Sequence, residues 1–500
     1  MWYFDRMENE KSFDRKTEYF PALDAIRSLV DAQRKWNFRN KLGSEVAGVL
    51  LAITPKFMLD NPEIFIVPDD LDAHQIRNQI MQGVVRNREI LNDVIRRLAE
   101  ANFGNDKILY SFLREAEEPE FSEFLGYAFM ALDGQDFNIL RHPTLLYRAF
   151  IANVDRMIQR SGKFGGESYT EPWIADLMAN VVGIGDGDKL YDNACGMGIL
   201  ASVATVSTGA TPYVQDVVFQ NAAVAHMLLI MAGKQRAVVG VGDSMLDPTI
   251  QGNYGPFDKF LIEGPVGIKT TEFRELPGYA FRHRGYGGEI FGTDPRNDQW
   301  VFIRQAFKVL APDGAGAALV PLSMMNRDGR QYRDTRAEMV ERGLVSAVIE
   351  LPIGSRAFTG TKFSIVVFDR SQKHDSVYLL DLSSKGAEQY FMRNNGKPEL
   401  KYGDSEKISD LVKSRQEIEG LSRIVSIEEI ARNDYRLSIG SYIQDTTKRE
   451  EALRAAVASW ERRETLRKEF QKADQELEDL IQSYNGYLNR KAGMTEEVNE

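Results

Sequence analysis

Short apolar segments alternate with amphipathic helical segments in the middle of the chain, and this alternation restricts the fold more than any other feature. It predicts an α/β fold in which helices cover both faces of a doubly wound, mainly parallel sheet. The predicted strands are Lys189–Asn193, Pro212–Asp216, Ala237–Val241, Phe257–Ile262, Ala315–Pro321, Val345–Leu351 and Phe363–Asp369. The predicted helices are Leu200–Ser207, Asn221–Ala232, Trp300–Leu310 and Gln331–Arg342. In such folds ligands bind at the carboxyl ends of the strands, so the chemistry is expected in the loops that follow them.

The regions on either side of this α/β part have different patterns. Residues 1–163 show helical spacing of apolar residues and are expected to form a helical N-terminal domain, and residues 164–380 hold the sheet. Residues 381–446 are expected to be a variable connecting region. Residues 447–500 carry a long amphipathic helix, predicted over 447–488. Its apolar stripe either packs on the chain's own N-terminal helices or binds a partner, because the pattern alone does not separate the two.

Composition narrows the class of protein. The 500 residues include 62 basic and 73 acidic side chains, and the net charge of −11 argues against a chain that wraps nucleic acid by bulk charge. A local basic loop, or a partner that supplies the phosphate contacts, is compatible with this charge. Cys195 is the only cysteine, so we expect no intrachain disulfide and no metal site built from cysteines. With no apolar run of membrane-spanning length and no signal peptide, a cytoplasmic protein is expected.

Three acidic strand ends indicate a cofactor. Asp192 is followed by the loop Asn193-Ala194-Cys195-Gly196-Met197-Gly198, whose glycines let the backbone approach a ligand at a helix N-terminus. Asp216 closes the second strand, where a carboxylate can accept both ribose hydroxyls. Asp243 and Ser244 follow the third, where an acid can receive an adenine amino group. Each acid taken singly is often a helix cap, but together they predict a nucleoside cofactor in one crevice.

These motifs resemble the methylation subunits of type I restriction-modification systems, which are adenine-N6 DNA methyltransferases. The family's Asp-Pro-Ala-Cys-Gly-Thr-Gly is matched by Asp192–Gly198, and its Gly-Asp by Gly242-Asp243. Its Tyr-Thr-Pro motif is matched by Tyr169-Thr170-Glu171-Pro172, with one residue inserted. The likeness runs from about Ala22 to Leu488.

The resemblance implies the Rossmann-like sheet of a class I methyltransferase, preceded by a helical domain and followed by a long C-terminal helix. It implies S-adenosylmethionine as cofactor, DNA bound through a separate specificity subunit, a possible restriction or translocase subunit, and no membrane. The cofactor-binding residues that it implies are Tyr169, Thr170, Asp192, Ala194, Cys195, Gly196, Gly198, Asp216, Asp243 and Ser244.

The catalytic loop departs from this family. The resemblance implies Asn-Pro-Pro-Phe, or its Asp and Tyr variants, after the fourth strand, whereas this chain has Glu263-Gly264-Pro265-Val266. A glutamate displaces the accepting oxygen by about 1 Å, glycine loosens the loop, and valine cannot stack on a flipped base. Three interpretations remain open: impaired DNA adenine methylation, a catalytically inactive scaffold or sensor that keeps the cofactor crevice, and methylation of an amine outside DNA.

A glycine-rich segment after this loop contains Arg282 and Arg284 among aromatic residues, a mixture that suits contact with a nucleic-acid substrate. Acidic residues dilute it, so a solvated surface loop is an equal interpretation.

Overall fold

The computed structural model describes residues 18–33, 45–82, 87–117, 119–161, 169–245, 248–266, 300–356, 359–394, 396–401, 403–443 and 446–496. The chain forms two compact units that divide after Ile443. The finer division predicted from the sequence, with boundaries at residues 163 and 380, remains a prediction.

The N-terminal part of the first unit is helical, as the apolar spacing predicts. Its helices are α1 (Phe20–Ala32), α2 (Glu45–Asp60), α3 (Ala73–Gln82), α4 (Asn87–Phe103), α5 (Lys107–Arg114), α6 (Pro119–Ala131) and α7 (Leu145–Ser161). Helix α1 buries Leu23, Ile26 and Val30, which lie three or four residues apart on one face. Helix α2 is buried on all sides from Val46 to Met58 and therefore occupies the middle of the bundle.

A nine-stranded sheet forms the centre of the first unit. Its strands are β1 (Lys189–Asp192), β2 (Thr211–Asp216), β3 (Val238–Val241), β4 (Phe257–Ile262), β5 (Leu310–Pro321), β6 (Val345–Glu350), β7 (Phe363–Asp369), β8 (Ser376–Asp381) and β11 (Ser422–Ser426), while β9 (Phe391–Asn394) and β10 (Lys397–Leu400) form a separate hairpin. The order across the sheet is β11-β8-β6-β7-β5-β4-β1-β2-β3. Strands β3, β2, β1, β4 and β5 are parallel, and β7 lies antiparallel between β5 and β6. The carboxyl ends of β1 to β4 therefore meet at one edge, where a ligand site is expected.

Helices cover both faces of this sheet. They are α8 (Pro172–Val182), α9 (Ile199–Thr205), α10 (Phe219–Met231), α11 (Gln251–Tyr254), α12 (Trp300–Val309), α13 (Leu322–Asn326), α14 (Arg330–Glu341), α15 (Asp404–Ser414) and α16 (Ile427–Arg432). Alternate strand residues enter two different core clusters: Leu261 of β4 lies in one cluster, whereas its neighbours Phe260 and Ile262 lie in the other. The first cluster also contains the N-terminal helices, so the bundle and one face of the sheet share a core.

The predicted α/β class and the strands of the central sheet are confirmed, with ends that shift by a few residues. Strand β5 begins at Leu310 instead of Ala315, since Leu310 already pairs with Phe257 across a bulge. The prediction of a variable connecting region missed the hairpin β9–β10, helix α15 and strand β11. Strand β8, which precedes that region, was missed as well. The missed strands carry too few residues to show a clear period, and β8 and β11 also pair with strands that are distant in the sequence.

The second unit is one helix, α17 (Thr446–Glu496), which begins and ends close to the predicted helix. Apolar side chains of its stripe, among them Trp460, Phe470 and Ile481, are exposed. The two interpretations of this stripe, packing on the N-terminal helices and binding a partner, remain predictions. Over the part of the chain described here, no helix combines the length and the apolar character that crossing a membrane requires.

A close approach between strands in the sheet can be tested by filling it. Gly316 of β5 lies opposite Phe260 of β4, and a Cβ atom at residue 316 would lie 2.4 Å from the Phe260 ring. We expect Gly316→Ala to lower the free energy of unfolding by about 1–3 kcal/mol, because the ring is held in a packed core. Thermal and urea denaturation followed by circular dichroism would measure the loss. Gly360→Ala, where no atom lies within 4 Å of the added Cβ, is the control, and equal stability of the two variants would contradict this packing.

Candidate functional site

A cavity of about 310 Å³ opens at the carboxyl ends of β1 to β4. Among the residues proposed from the sequence, those that line it are Tyr169, Thr170, Asp192, Ala194, Cys195, Gly196, Asp216, Asp243, Ser244, Glu263 and Pro265. Further lining residues that the sequence did not single out are Asn193, Leu200, Val217, Val218, Asn221, Met245 and Phe302. The fold thus brings together segments that are far apart in the sequence.

The loop after β1 is shaped by hydrogen bonds between neighbouring strand ends. The Gly196 N–H donates to Asp216 Oδ2 at 2.9 Å, and the Cys195 N–H donates to the Gln215 carbonyl at 3.0 Å. The other oxygen of Asp216 accepts from the Val218 N–H at 2.8 Å. One carboxylate therefore joins the glycine loop to the loop after β2, and it fixes the distance between the two sides of the cavity.

Gly198 does not line the cavity and has a structural role instead. It caps α9 with a φ of 76°, in the left-handed region that favours glycine. A Cβ atom at this residue would lie 2.7 Å from the Cβ of Ala225 in α10. The second glycine of the loop thus permits close packing of two helices, while Gly196 faces the cavity.

Asp192 is the acid with unused hydrogen-bonding capacity. Its Oδ1 accepts from the Ala194 N–H at 3.1 Å, whereas Oδ2 has no hydrogen-bond partner, although only 1% of the residue is exposed. Burial, with a smaller contribution from the charge of Asp216, raises the pKa of Asp192 to about 7. An orphaned carboxylate oxygen in a cavity wall is a site for a donor or cation supplied by a ligand.

The pKa values of two further groups that line the cavity are shifted in the same direction. Burial raises the pKa of Asp216, although hydrogen bonds from Val218, Asn221 and Gly196 oppose it. Burial also raises the pKa of the Cys195 thiol, so this cysteine lines the cavity as a neutral group and not as a thiolate nucleophile.

A buried polar network, which the sequence did not reveal, connects the loop after β1 to α12. Asn193 Nδ2 donates to Gln305 Oε1 at 2.7 Å and to the Phe302 carbonyl at 3.0 Å. Gln305 Nε2 also donates to the Ser244 carbonyl, and the Ser244 hydroxyl donates to the Asn193 carbonyl. The sequence contained one signal for this network, because Gln305 is a polar residue on the apolar face of the helix Trp300–Val309.

The side of the cavity next to β4 is organised by Glu263, which follows that strand. Its Oε2 accepts from the Thr170 hydroxyl at 2.5 Å, and its Oε1 is ion-paired with Arg356 Nη1. The side chains of Glu263 and Arg356 are 10% and 8% exposed, so the pair is shielded from water. Both oxygens of the glutamate are therefore engaged by the protein itself.

Arg356 holds three segments of the chain together. Its Nη2 donates to the Tyr169 carbonyl at 2.7 Å, and its Nε lies 3.5 Å from Glu171 Oε2. Its guanidinium also lies 5.3 Å from the centre of the Phe363 ring. The guanidinium thus lies between two carboxylates, those of Glu171 and Glu263. Arg356 was not among the residues predicted from the sequence, although a buried Glu263 would need a cation beside it.

The remaining residues proposed for catalysis lie at the edge of the cavity or outside it. Gly264 is buried and does not line the cavity, and Val266 is 60% exposed. Arg282 and Arg284, proposed to bind the substrate, lie outside the described residues.

Comparisons with known proteins agree with this architecture. The family model for N-6 DNA methylases matches residues 146–451. The methylase subunit of the type I restriction enzyme MpnII from Mycoplasma pneumoniae is 24% identical over 313 residues, which cover 59% of this chain and 56% of that protein. The MjaVII methylase subunit from Methanocaldococcus jannaschii is 26% identical over 334 residues, which cover 64% of this chain and 55% of that protein. The chain therefore spans little more than half the length of these relatives.

A solved structure shows the same fold. The methyltransferase subunit of a type I restriction-modification system from Streptococcus thermophilus aligns with a TM-score of 0.70 and 18% identity, covering 85% of this chain and all of that chain.

The sheet order, the covering helices and the cavity at the strand ends define the class I methyltransferase fold, as the sequence predicted. Because the family model matches more than half of the chain, this protein belongs to the N-6 DNA methylase family.

The buried ion pair makes a stability prediction. Arg356→Met leaves the Glu171 and Glu263 carboxylates buried without their cation, and we expect a loss of about 3–5 kcal/mol in the free energy of unfolding. Glu263→Gln combined with Arg356→Met should recover about half of that loss, since one of the two carboxylates beside Arg356 is then neutral. Urea denaturation would measure both. Arg330→Met is the control because its side chain is 94% exposed, and a loss at Arg356 no larger than at Arg330 would contradict the pairing.

Proposed function

We propose that this chain is an S-adenosylmethionine-binding methylation subunit of a DNA-modification assembly, with adenine methylation that is weak or absent. The observation that carries the proposal is the engagement of Glu263 by Arg356 and Thr170 at the position where the family's acceptor-binding residue stands.

The residues of the cavity fit the proposed cofactor. Asp216 and Asp243 lie where ribose hydroxyls and an adenine amino group would be accepted, and the orphaned Oδ2 of Asp192 offers an acceptor for an ammonium group. The Tyr169 and Thr170 segment closes the opposite side. When bound, S-adenosylmethionine supplies an electrophilic methyl group on a sulfonium. The protein residues bind and orient it and exclude water.

The acceptor side is poorly suited to a neutral adenine amine. An amine acceptor must donate hydrogen bonds to the residue after β4, but the two oxygens of Glu263 already accept from Thr170 and Arg356. A proton taken from the amine by Glu263 would also break a buried ion pair. Val266 provides no aromatic face for a flipped base. Because Thr170 and Arg356 engage both oxygens of Glu263, we also do not propose an amine outside DNA as the acceptor.

The proposed partners follow from charge and family. With a net charge of −11, the chain relies on a separate specificity subunit for most phosphate contacts. The exposed apolar residues of α17 make this helix the proposed site for such a partner. A restriction or translocase subunit is a further proposed component.

The raised pKa of Asp192 predicts a pH-dependent affinity for the cofactor. Asp192 ionises in the free protein as the pH rises through about 7, and a cationic ligand prefers the ionised carboxylate. Calorimetry should therefore show an affinity for S-adenosylmethionine that increases roughly five- to tenfold between pH 6 and 7.5. Asp192→Asn should flatten this dependence. A wild-type affinity that does not change over this range would show that Asp192 does not contact the cation, and a lack of binding at both pH values would exclude the cofactor itself.

Methyl transfer tests the proposed impairment. The wild type is assayed with its co-purified partners on unmethylated DNA and tritiated cofactor. We expect it to transfer methyl groups about three orders of magnitude more slowly than a methyltransferase whose loop reads Asn-Pro-Pro-Phe. Glu263→Asn combined with Val266→Phe should raise this rate, because the asparagine oxygen can accept from the amine and the phenylalanine ring can stack on the base. Arg356 keeps Glu171 as its carboxylate partner in this variant. Val266→Phe alone is the control, because it restores stacking without freeing the acceptor position. Efficient adenine methylation by the wild type would refute the impairment.

A further inference from the structure

The segment of residues 169–171, which precedes helix α8, forms part of the cavity wall without belonging to a helix or a strand. Tyr169 and Thr170 line the cavity, and Glu171 is buried beside them. Since neither a helix nor a sheet fixes this stretch of backbone, its position depends on the side chains that it contacts.

Each residue of the 169–171 segment contacts one member of the ion pair between Glu263 and Arg356. The Tyr169 carbonyl accepts from Arg356 Nη2 at 2.7 Å, and the Thr170 hydroxyl donates to Glu263 Oε2 at 2.5 Å. Glu171 Oε2 lies 3.5 Å from Arg356 Nε. Glu263 follows β4 and Arg356 lies in the loop after β6, so the pair ties the segment to two loops of the sheet.

Arg356 is not among the described residues that line the cavity. Its influence on a ligand there would therefore pass through the residues that it holds. A guanidinium is planar and presents donors in several fixed directions, which allows one side chain to contact a carbonyl and two carboxylates together. A lysine at this residue would keep the positive charge and lose that geometry.

We propose that Arg356 and Glu263 are positioning residues for the cofactor, holding the 169–171 segment where it lines the cavity. The proposal rests on the proposed cofactor use, and it gives Glu263 a role on the cofactor side of the cavity. Asparagine at residue 263 is shorter and uncharged, so it would not keep the ion pair. Glu263→Asn should therefore weaken cofactor binding even where it raises the rate of methyl transfer at saturating cofactor, which separates KM for the cofactor from kcat.

The test compares Arg356→Lys with Arg336→Lys in the full-length protein. Arg336 is the matched control because it is a buried arginine that donates to the carbonyls of Met324, Arg327 and Tyr435. Neither Arg336 nor these three residues are among the described residues that line the cavity. Calorimetry measures the affinity for S-adenosylmethionine at a temperature at which urea denaturation shows each variant to be folded.

We expect Arg356→Lys to raise the Kd for S-adenosylmethionine about five- to tenfold. A segment that is in place for about a tenth to a fifth of the time lowers the apparent affinity by that fraction. Arg336→Lys should change the Kd by less than about twofold, although it also removes buried hydrogen bonds.

Hydrogen exchange without cofactor gives a second readout, at the segment itself. Amide exchange over residues 169–171 should increase about fivefold or more in Arg356→Lys and stay unchanged in Arg336→Lys. Glu263→Gln keeps an oxygen for the Thr170 hydroxyl and removes the ion pair, so it should also increase this exchange.

The outcomes separate this proposal from the proposed function. A wild type that binds the cofactor, with an unchanged Kd in Arg356→Lys, overturns the positioning role and leaves the cofactor proposal intact. An equal loss of affinity in Arg336→Lys also overturns it, since a general loss of stability would then account for both variants. Unchanged exchange over residues 169–171 in both Arg356→Lys and Glu263→Gln contradicts the role of the pair. Failure of the wild type to bind S-adenosylmethionine overturns both proposals.

Discussion

The guanidinium of Arg356 is the group on which the candidate site depends. It lies between the carboxylates of Glu171 and Glu263, and it also donates to the Tyr169 carbonyl. A carboxylate buried in this way without a cation would cost several kcal/mol, so the glutamate at residue 263 is tolerable only because the arginine is present. Glu171 and Glu263 are also the two places where acidic residues depart from the family's motifs. Both of these carboxylates meet the same arginine.

The two sides of the cavity use their polar groups differently. On the side of the glycine loop, backbone N–H groups and strand-end acids surround the cavity, with Asp216 joining two loops and Asp192 Oδ2 left without a hydrogen-bond partner. On the side of Glu263, each carboxylate oxygen already contacts a group of the protein. A sheet and a glycine loop like those of the family can occur together with an altered loop after β4, because fold and chemistry depend on different residues.

The sequence was most informative where a regular period and a strand end coincide. The alternation of strands and helices predicted the central sheet, and acids at the ends of β1, β2 and β3 indicated which loops would meet. It was least informative for contacts between side chains that topology alone brings together. Neither Arg356 beside Glu263 nor Gln305 beside Asn193 can be found from spacing, since each pair joins residues about a hundred positions apart. The short strands β8 and β11 were missed because pairing, not local pattern, defines them.

The same separation has a consequence for how the site is assembled. The bond between Thr170 and Glu263 spans 93 residues, and the bond between Tyr169 and Arg356 spans 187. Contacts of such high sequence separation form only after the intervening chain has collapsed, so they depend on folding steps that are slow compared with helix formation. During synthesis on the ribosome, both acids emerge long before their arginine. The cavity therefore acquires its final electrostatic character only when the second half of the sheet has docked.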